Sequence, residues 1–277
     1  DDRVSLIDRQ TEDSEYDKDG KPEQDHSDHE VGMAQSDMFK AMKYAKEFIE
    51  AGIKVVDVSG DFRIKDIPLY EKWYNRKHTE VELLKESVYG LCELFRHEIK
   101  GARLIANPGC YPTAAQLSIA PVLDKGIASS FIIDAKTGIT GAGRAASQGN
   151  LFSERNECVT PYKIGYKHKH APEMEIHAKR KTGNDCKILF TPQVVPMNWG
   201  ILETIYAVSN EKISKKDLVE LYKNYYKNEY FIHIHDETLP STKNVMLTNN
   251  VHIGFEVEER TNTIIIVCAI DNLIKGA

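Results

Sequence analysis

The stretch from Ile105 to Leu123, "IANPGCYPTAAQLSIAPVL", puts a cysteine between a glycine and a run with helical spacing. Ahead of it Arg103, Leu104, Ile105 and Ala106 suit a short extended segment. After it Ala114, Leu117, Ile119, Ala120, Val122 and Leu123 recur at helical spacing, and Asp124-Lys125-Gly126 closes the run. Pro112 fits the first turn of a helix, where no N–H is needed. Cys110 is therefore expected at a strand-to-helix turn, facing the unpaired N–H groups of a helix N-terminus. Such surroundings lower a thiol's pKa from about 8.5 and favour the nucleophilic thiolate. A small buried thiol is the alternative that the stretch leaves open.

Upstream, "SDMFKAMKYAKEFIEAG" spaces Met38, Met42, Ala45, Phe48 and Ile49 on one helical face, with Gly52 closing the helix. "IKVVDVSGDF" follows as a buried strand ending in the polar turn Ser59-Gly60-Asp61. Helix, strand and a second strand at "RLIANPG" predict a parallel α/β sheet, with ligands outside the carboxyl ends of the strands, where Ser59 and Cys110 fall. Beyond Val122 the strand-like runs "FIIDAKTGIT", "CKILFTPQVVPM", "GILETIYAVS", "YFIHIHDE", "VHIGFEVEE" and "TIIIVCAID" surround one clear helix, "SKKDLVELYKNYYKN". The fold expected is α/β. A parallel-sheet domain (36–109) precedes an α+β domain with a mixed, largely antiparallel sheet (110–268). The acidic residues 1–35 have almost no apolar periodicity and are expected to be a disordered extension, and 269–277 to start a C-terminal helix.

Composition narrows the function. The 277 residues carry 36 Lys and Arg against 42 Asp and Glu, a net charge of -6, and no basic block, which argues against a nucleic-acid partner. The longest apolar run, "TIIIVCAI", is too short to span a membrane, and no secretory signal opens the chain. Five scattered cysteines (Cys92, Cys110, Cys158, Cys186, Cys268) without a CxxC pair suit a reducing, cytoplasmic setting.

Several polar groupings have a structural and a chemical reading. "EYDKDGK" has the look of a calcium loop, but Glu15 opens it and His26 stands at its twelfth position, so no calcium is expected. "TGITGAGR", Thr137 to Arg144, is a flexible loop or a set of backbone N–H groups with a cation for an anionic substrate. His168 and His170 could ligate zinc together with His233 and His235, yet no metal is expected. A better use of His168 or His170 is as proton partner to Cys110. Glu173 and Glu175 open the helix that follows, and Asn198 and Trp199 follow a strand.

Nine blocks then stand in a familiar order: "DVSGDFRIKD", "YEKWY", "VYGLCEL", "ARLIANPGCYPTA", "DAKTGITGAGR", "HKHAPEME", "FTPQVVPMNWGIL", "LPSTKNV" and "AIDNLIKGA". Over residues 36 to 277 the chain resembles the N-acetyl-gamma-glutamyl-phosphate reductases of the aspartate-semialdehyde dehydrogenase group. The resemblance implies NADP-dependent reductive dephosphorylation of N-acetyl-glutamyl phosphate to the semialdehyde, in arginine biosynthesis, through a Cys110 thioester. It implies an acid/base at His168, with His170 as rival. Substrate contacts are implied at Asn107, Gly141, Arg144, Glu173 and Asn198, and cofactor contacts at Ser59, Gly109, Gly143 and Asn272. A partial Rossmann-type, dinucleotide-binding domain at 36–109, a catalytic and dimerisation domain at 110–268 and a homo-oligomer, dimer or tetramer, are implied as well. The chain departs from the pattern at Cys92 (usually proline), Gln193 (commonly histidine) and Trp199 (commonly arginine). No GxxGxxG precedes Met38, so the phosphate turn and the C-terminal helix beyond "NLIKGA" are expected to be lacking. Rival readings are a reductase of N-acetyl-aminoadipyl or aspartyl phosphate, and a non-redox thiol hydrolase or binding protein on the same scaffold.

Overall fold

The computed structural model describes residues 4–7, 40–143 and 147–277. They form two compact units, one of the described residues up to 90 with 96–107, the other of residues 91–95 with the described residues from 108 onward.

The first unit holds a four-stranded sheet. β1 (Val4–Ile7) pairs in parallel with β2 (Lys54–Asp57), after which come β3 (Val88–Tyr89) and β4 (Leu104–Ala106), in the order β1-β2-β4-β3. Every pairing is parallel, as the sequence predicts. β1 corrects the expectation that 1–35 lacks structure throughout. Val4, Leu6 and Ile7 favour a strand, but four residues are too few to show a period. The calcium-like stretch 15–26 lies outside the described residues. Helix α1 (40–50) buries Met42, Ala45 and Ile49 of the predicted face together with Ala41, leaves Phe48 half-buried, and Met38 lies outside the described residues. α2 (Ile67–Tyr74) is capped by Asp66, which accepts from the Leu69 N–H at 2.9 Å. α3 (Val81–Glu86) and α4 (Cys92–Ile99) flank β3 in sequence.

The second unit is built on α5 (Cys110–Asp124) and a seven-stranded sheet of order β6-β7-β5-β8-β11-β10-β9. The strands are β5 (Ser130–Thr137), β6 (Thr160–Pro161), β7 (Lys187–Val194), β8 (Ile201–Val208), β9 (Ile232–Ile234), β10 (Val251–Glu258) and β11 (Thr263–Ile270). β5–β7 and β9–β10 are parallel and the other pairings antiparallel, the mixed sheet that was expected. α6 (Phe152–Arg155) is a single turn, and α7 (His170–Thr182) and α8 (Lys215–Tyr225) pack with α5 on the sheet. Alternation sorts β5: Phe131, Ile133 and Ala135 are buried, while Ile132 is about half exposed on the opposite face.

α5 is buried along nearly its whole length, from Tyr111 to Leu123. Pro121 inside it cannot donate to the Leu117 carbonyl, and the Tyr226 hydroxyl just beyond α8 donates there instead, at 2.6 Å. The expected C-terminal helix start is a strand end followed by a turn. Asp271 Oδ1 accepts from the N–H groups of Leu273 (2.8 Å) and Ile274 (3.1 Å), as an N-cap would, but the Gly276 N–H returns to the Asp271 carbonyl at 2.9 Å and closes the turn.

Candidate active site

The chain leaves β4 through Asn107-Pro108-Gly109 and enters α5 at Cys110, which is partly exposed. Gly109 is the N-cap, in an extended conformation, and no side chain caps the helix. Its N–H donates to Glu173 Oε1 at 2.9 Å. A Cβ on Gly109 would stand 2.5 Å from His170 Nε2, so only glycine lets the imidazole approach. His170 is the first residue of α7 and Glu173 lies in its first turn, with Glu173 Oε2 4.0 Å from His170 Nε2. The turn after β11 reaches the same place: a Cβ on Gly276 would meet Cys110 Cβ at 3.0 Å. Gly109, Cys110, His170 and Glu173 thus form one group.

His168 and His170 are treated differently by their surroundings. The His168 ring packs edge-on against Tyr111, Tyr162 and Phe190, and Nδ1 accepts from the His170 backbone N–H at 3.2 Å. Burial first, then Lys169 and Lys163, push its pKa down to about 3, so it stays neutral and holds the entry to α7. His170 is the imidazole that touches Gly109.

Three neighbours were not singled out in the sequence. The Tyr162 hydroxyl donates to the Tyr111 hydroxyl at 3.3 Å, and burial pushes Tyr162 up to about 12. Burial raises Tyr111 as well, and a thiolate at Cys110 would raise both tyrosines further. Gln116, fully buried on α5, donates from Nε2 to the Glu173 carbonyl at 3.2 Å. A polar residue in an otherwise apolar or small-residue run was its only sequence signal.

A second group surrounds Asn272, whose Oδ1 accepts from the Gly200 N–H (2.6 Å) and whose Nδ2 donates to Thr140 Oγ1 (2.9 Å). Thr140 Oγ1 donates in turn to the Asn198 carbonyl at 2.7 Å. Asn272 therefore clasps the 138–142 loop, and Gly141 lies within it, 3.5 Å from Asn272 Nδ2 as measured from a built Cβ. Gly143 is exposed, with φ +84, and Arg144 lies outside the described residues. Gln193 donates to Asp134 Oδ1 at 2.7 Å, and Trp199 is exposed.

Ser59 and Asn107 belong to the first unit. Burial raises the Asp57 pKa, partly offset by Ser59, whose Oγ donates to Asp57 Oδ2 (2.9 Å) and whose N–H donates to Oδ1 (3.0 Å); Ser59 Oγ also accepts from the Asp61 N–H (3.2 Å). The Asn107 carbonyl accepts from Arg63 Nε at 2.6 Å. Among the described residues no three His, Cys, Asp or Glu side chains are grouped to hold a metal, and no helix is long and apolar enough to cross a membrane. His235 instead shares a hydrogen bond with His252, Nε2 to Nδ1 at 2.8 Å.

The sequence matches the semialdehyde dehydrogenase NAD binding domain over residues 8–102 and the semialdehyde dehydrogenase dimerisation domain over residues 110–272. It is 47% identical over 234 residues to an N-acetyl-gamma-glutamyl-phosphate reductase of Lachnoclostridium phytofermentans, covering 83% of this chain and 67% of that protein. A reductase of the same name from Clostridium novyi is 46% identical over 248 residues, covering 87% and 71%. Among solved structures, aspartate semialdehyde dehydrogenase II from Vibrio cholerae shares the fold with a TM-score of 0.64 at 16% identity, over 86% of this chain and 72% of that one. The two matched domains and the close relatives together place this chain in the N-acetyl-gamma-glutamyl-phosphate reductase family of the semialdehyde dehydrogenases.

Proposed function

We propose that the chain reduces N-acetyl-glutamyl phosphate to the semialdehyde with NADPH, through a thioester on Cys110. The observation that carries this is the group at the start of α5: a partly exposed cysteine at a helix N-terminus, with His170 and Glu173 held against the glycine before it. The helix N-terminus favours the thiolate. The thiolate attacks the acyl carbon, the C–O bond to phosphate breaks, and phosphate leaves with the electron pair. His170, rather than His168, holds the proton exchanged with the substrate oxygen, because His168 Nδ1 is committed to a backbone N–H and its ring is enclosed by aromatics. Glu173 holds Gly109 and faces the His170 imidazole, fixing its orientation.

The NAD binding domain implies a nicotinamide cofactor, which supplies the reducing equivalent that takes the thioester to the aldehyde level. The first unit fits a dinucleotide, since Ser59 lies just beyond the carboxyl end of a strand in an all-parallel sheet. Gly109, Gly143 and Asn272 are the further cofactor contacts, and Asn107, Gly141, Arg144 and Asn198 the further substrate contacts, in this reading. A cytoplasmic, dimeric enzyme completes it. Leu189, Ile132, Tyr206 and Ile265 stand in register as an apolar row across four strands, on the face opposite the buried side chains of β5. This row is the surface on which a second copy would pack.

The test is to mix the protein with N-acetyl-glutamyl phosphate without nicotinamide and measure its intact mass. The reading expects one acyl adduct, mapped to Cys110 and absent in Cys110→Ala. An adduct elsewhere, or none while the aspartyl or N-acetyl-aminoadipyl phosphate reacts, overturns it.

A further inference from the structure

We propose that Gln116 is a positioning residue for the reaction, gripping the first turn of α7 so that His170 and Glu173 stay registered on Gly109 and Cys110. The proposal rests on the reading of Cys110 as the nucleophile. Glu173 is held by α5 at two points. Its carboxylate takes the Gly109 N–H at 2.9 Å, and its backbone carbonyl takes Gln116 Nε2 at 3.2 Å. The two donors lie about two helical turns apart along the chain of α5. The first turn of α7, which carries His170, is thereby fastened to α5 at two points instead of one.

The residue type supports this role. α5 is buried from Tyr111 to Leu123, a setting in which leucine or methionine would fill the same volume. Gln116 is fully buried, and its Oε1 has no hydrogen-bond partner among the described residues. Leaving an acceptor unmatched costs stability that an apolar residue would keep. A local rule broken in this way, beside the reactive group, marks a residue kept for what its donor does.

The test compares wild type with Gln116→Met, which keeps the volume and lacks the donor, and Gln116→Glu, whose buried neutral carboxyl can still donate. Three quantities are read: kcat and KM of the phosphate-dependent reaction, and the pH profile of Cys110 alkylation by iodoacetamide. For Gln116→Met a fall in kcat of about tenfold is expected with KM within about twofold, the pattern of misplaced catalytic groups. The midpoint of its alkylation profile should shift by about half a pH unit or more. Gln116→Glu should restore kcat on the acid side of the profile and lose it on the alkaline side, as the carboxyl ionises. Gln116→Met with wild-type kcat and an unshifted alkylation profile would overturn the proposal and leave Gln116 as core filler. If Gln116→Met does not fold, an acid-side rescue by Gln116→Glu decides the matter, and kcat in that variant with wild-type pH dependence refutes it. If the wild-type chain turns over no substrate, the reductase reading fails, and the alkylation profiles alone judge Gln116.

Discussion

Gly109 lacks a side chain because its place is taken by an imidazole, 2.5 Å from where a Cβ would stand. Gly109→Ala should displace His170, lower kcat by about 10-fold or more and cost about 1–3 kcal/mol in stability. Steady-state kinetics beside urea denaturation check this, and unchanged kcat would show that the ring need not touch that glycine. His170→Asn should lower kcat by about 10²–10⁴-fold, whereas His168→Asn should act mainly on stability. The sign for His168 follows from its lowered pKa. Its neutral form is the folded one, so the stability it contributes is complete above the ordinary pKa of 6.5 and is lost as pH falls towards about 3. Urea titrations across that interval should show His168→Asn with a flatter acid limb than wild type. From sequence the acid/base was placed at His168 with His170 as rival, because two histidines one residue apart are not separated by spacing. What separates them is Phe190, Tyr111 and Tyr162, brought to one ring from β7, α5 and the segment ahead of α7, which no local pattern reveals.

α5 and the strands of the second unit other than the two-residue β6 were legible because their apolar runs are long enough to carry a period. β1 was not, since four residues cannot. Pro121 would be expected to break α5, and the helix continues because a hydroxyl from beyond α8 serves the carbonyl that the proline strands. Tyr226→Phe should therefore cost about 1–3 kcal/mol, the penalty of an unsatisfied buried carbonyl, measured by denaturant unfolding. β8 hides a second element-scale feature. Glu203 pairs across the sheet with Ala135 and Cys268, is fully buried, and neither carboxyl oxygen has a hydrogen-bond partner among the described residues. Burial raises its pKa well above the ordinary value of 4.5, so the folded form is neutral. Folding is unpenalised below pH 4.5, and stability falls as pH rises above it because only the unfolded chain ionises there. Glu203→Met should stabilise the protein at neutral pH by about 1–3 kcal/mol and flatten that slope. A loss of stability would mean that the carboxyl is matched after all. Nothing in "GILETIYAVS" marks Glu203 as inward-facing until the strand's register is known.

The whole molecule joins a parallel-sheet unit to a mixed-sheet unit, and the sequence announced both through the change of pattern after Val122. Less legible was what the open face of the second sheet does, because Leu189, Ile132, Tyr206 and Ile265 become a row only once four strands are aligned. Ile132→Lys should convert a dimer into monomers in sedimentation velocity, and a monomeric wild type would refute the role given to that row. The most direct measurement is reduction of NADP by N-acetylglutamate semialdehyde, with and without phosphate, in wild type and Cys110→Ala. A phosphate-dependent rate that disappears in Cys110→Ala is the predicted result. A rate indifferent to phosphate or to the loss of Cys110, or no rate in the wild-type chain while Cys110 still alkylates, would contradict the assignment of acyl-phosphate reduction to this thiol.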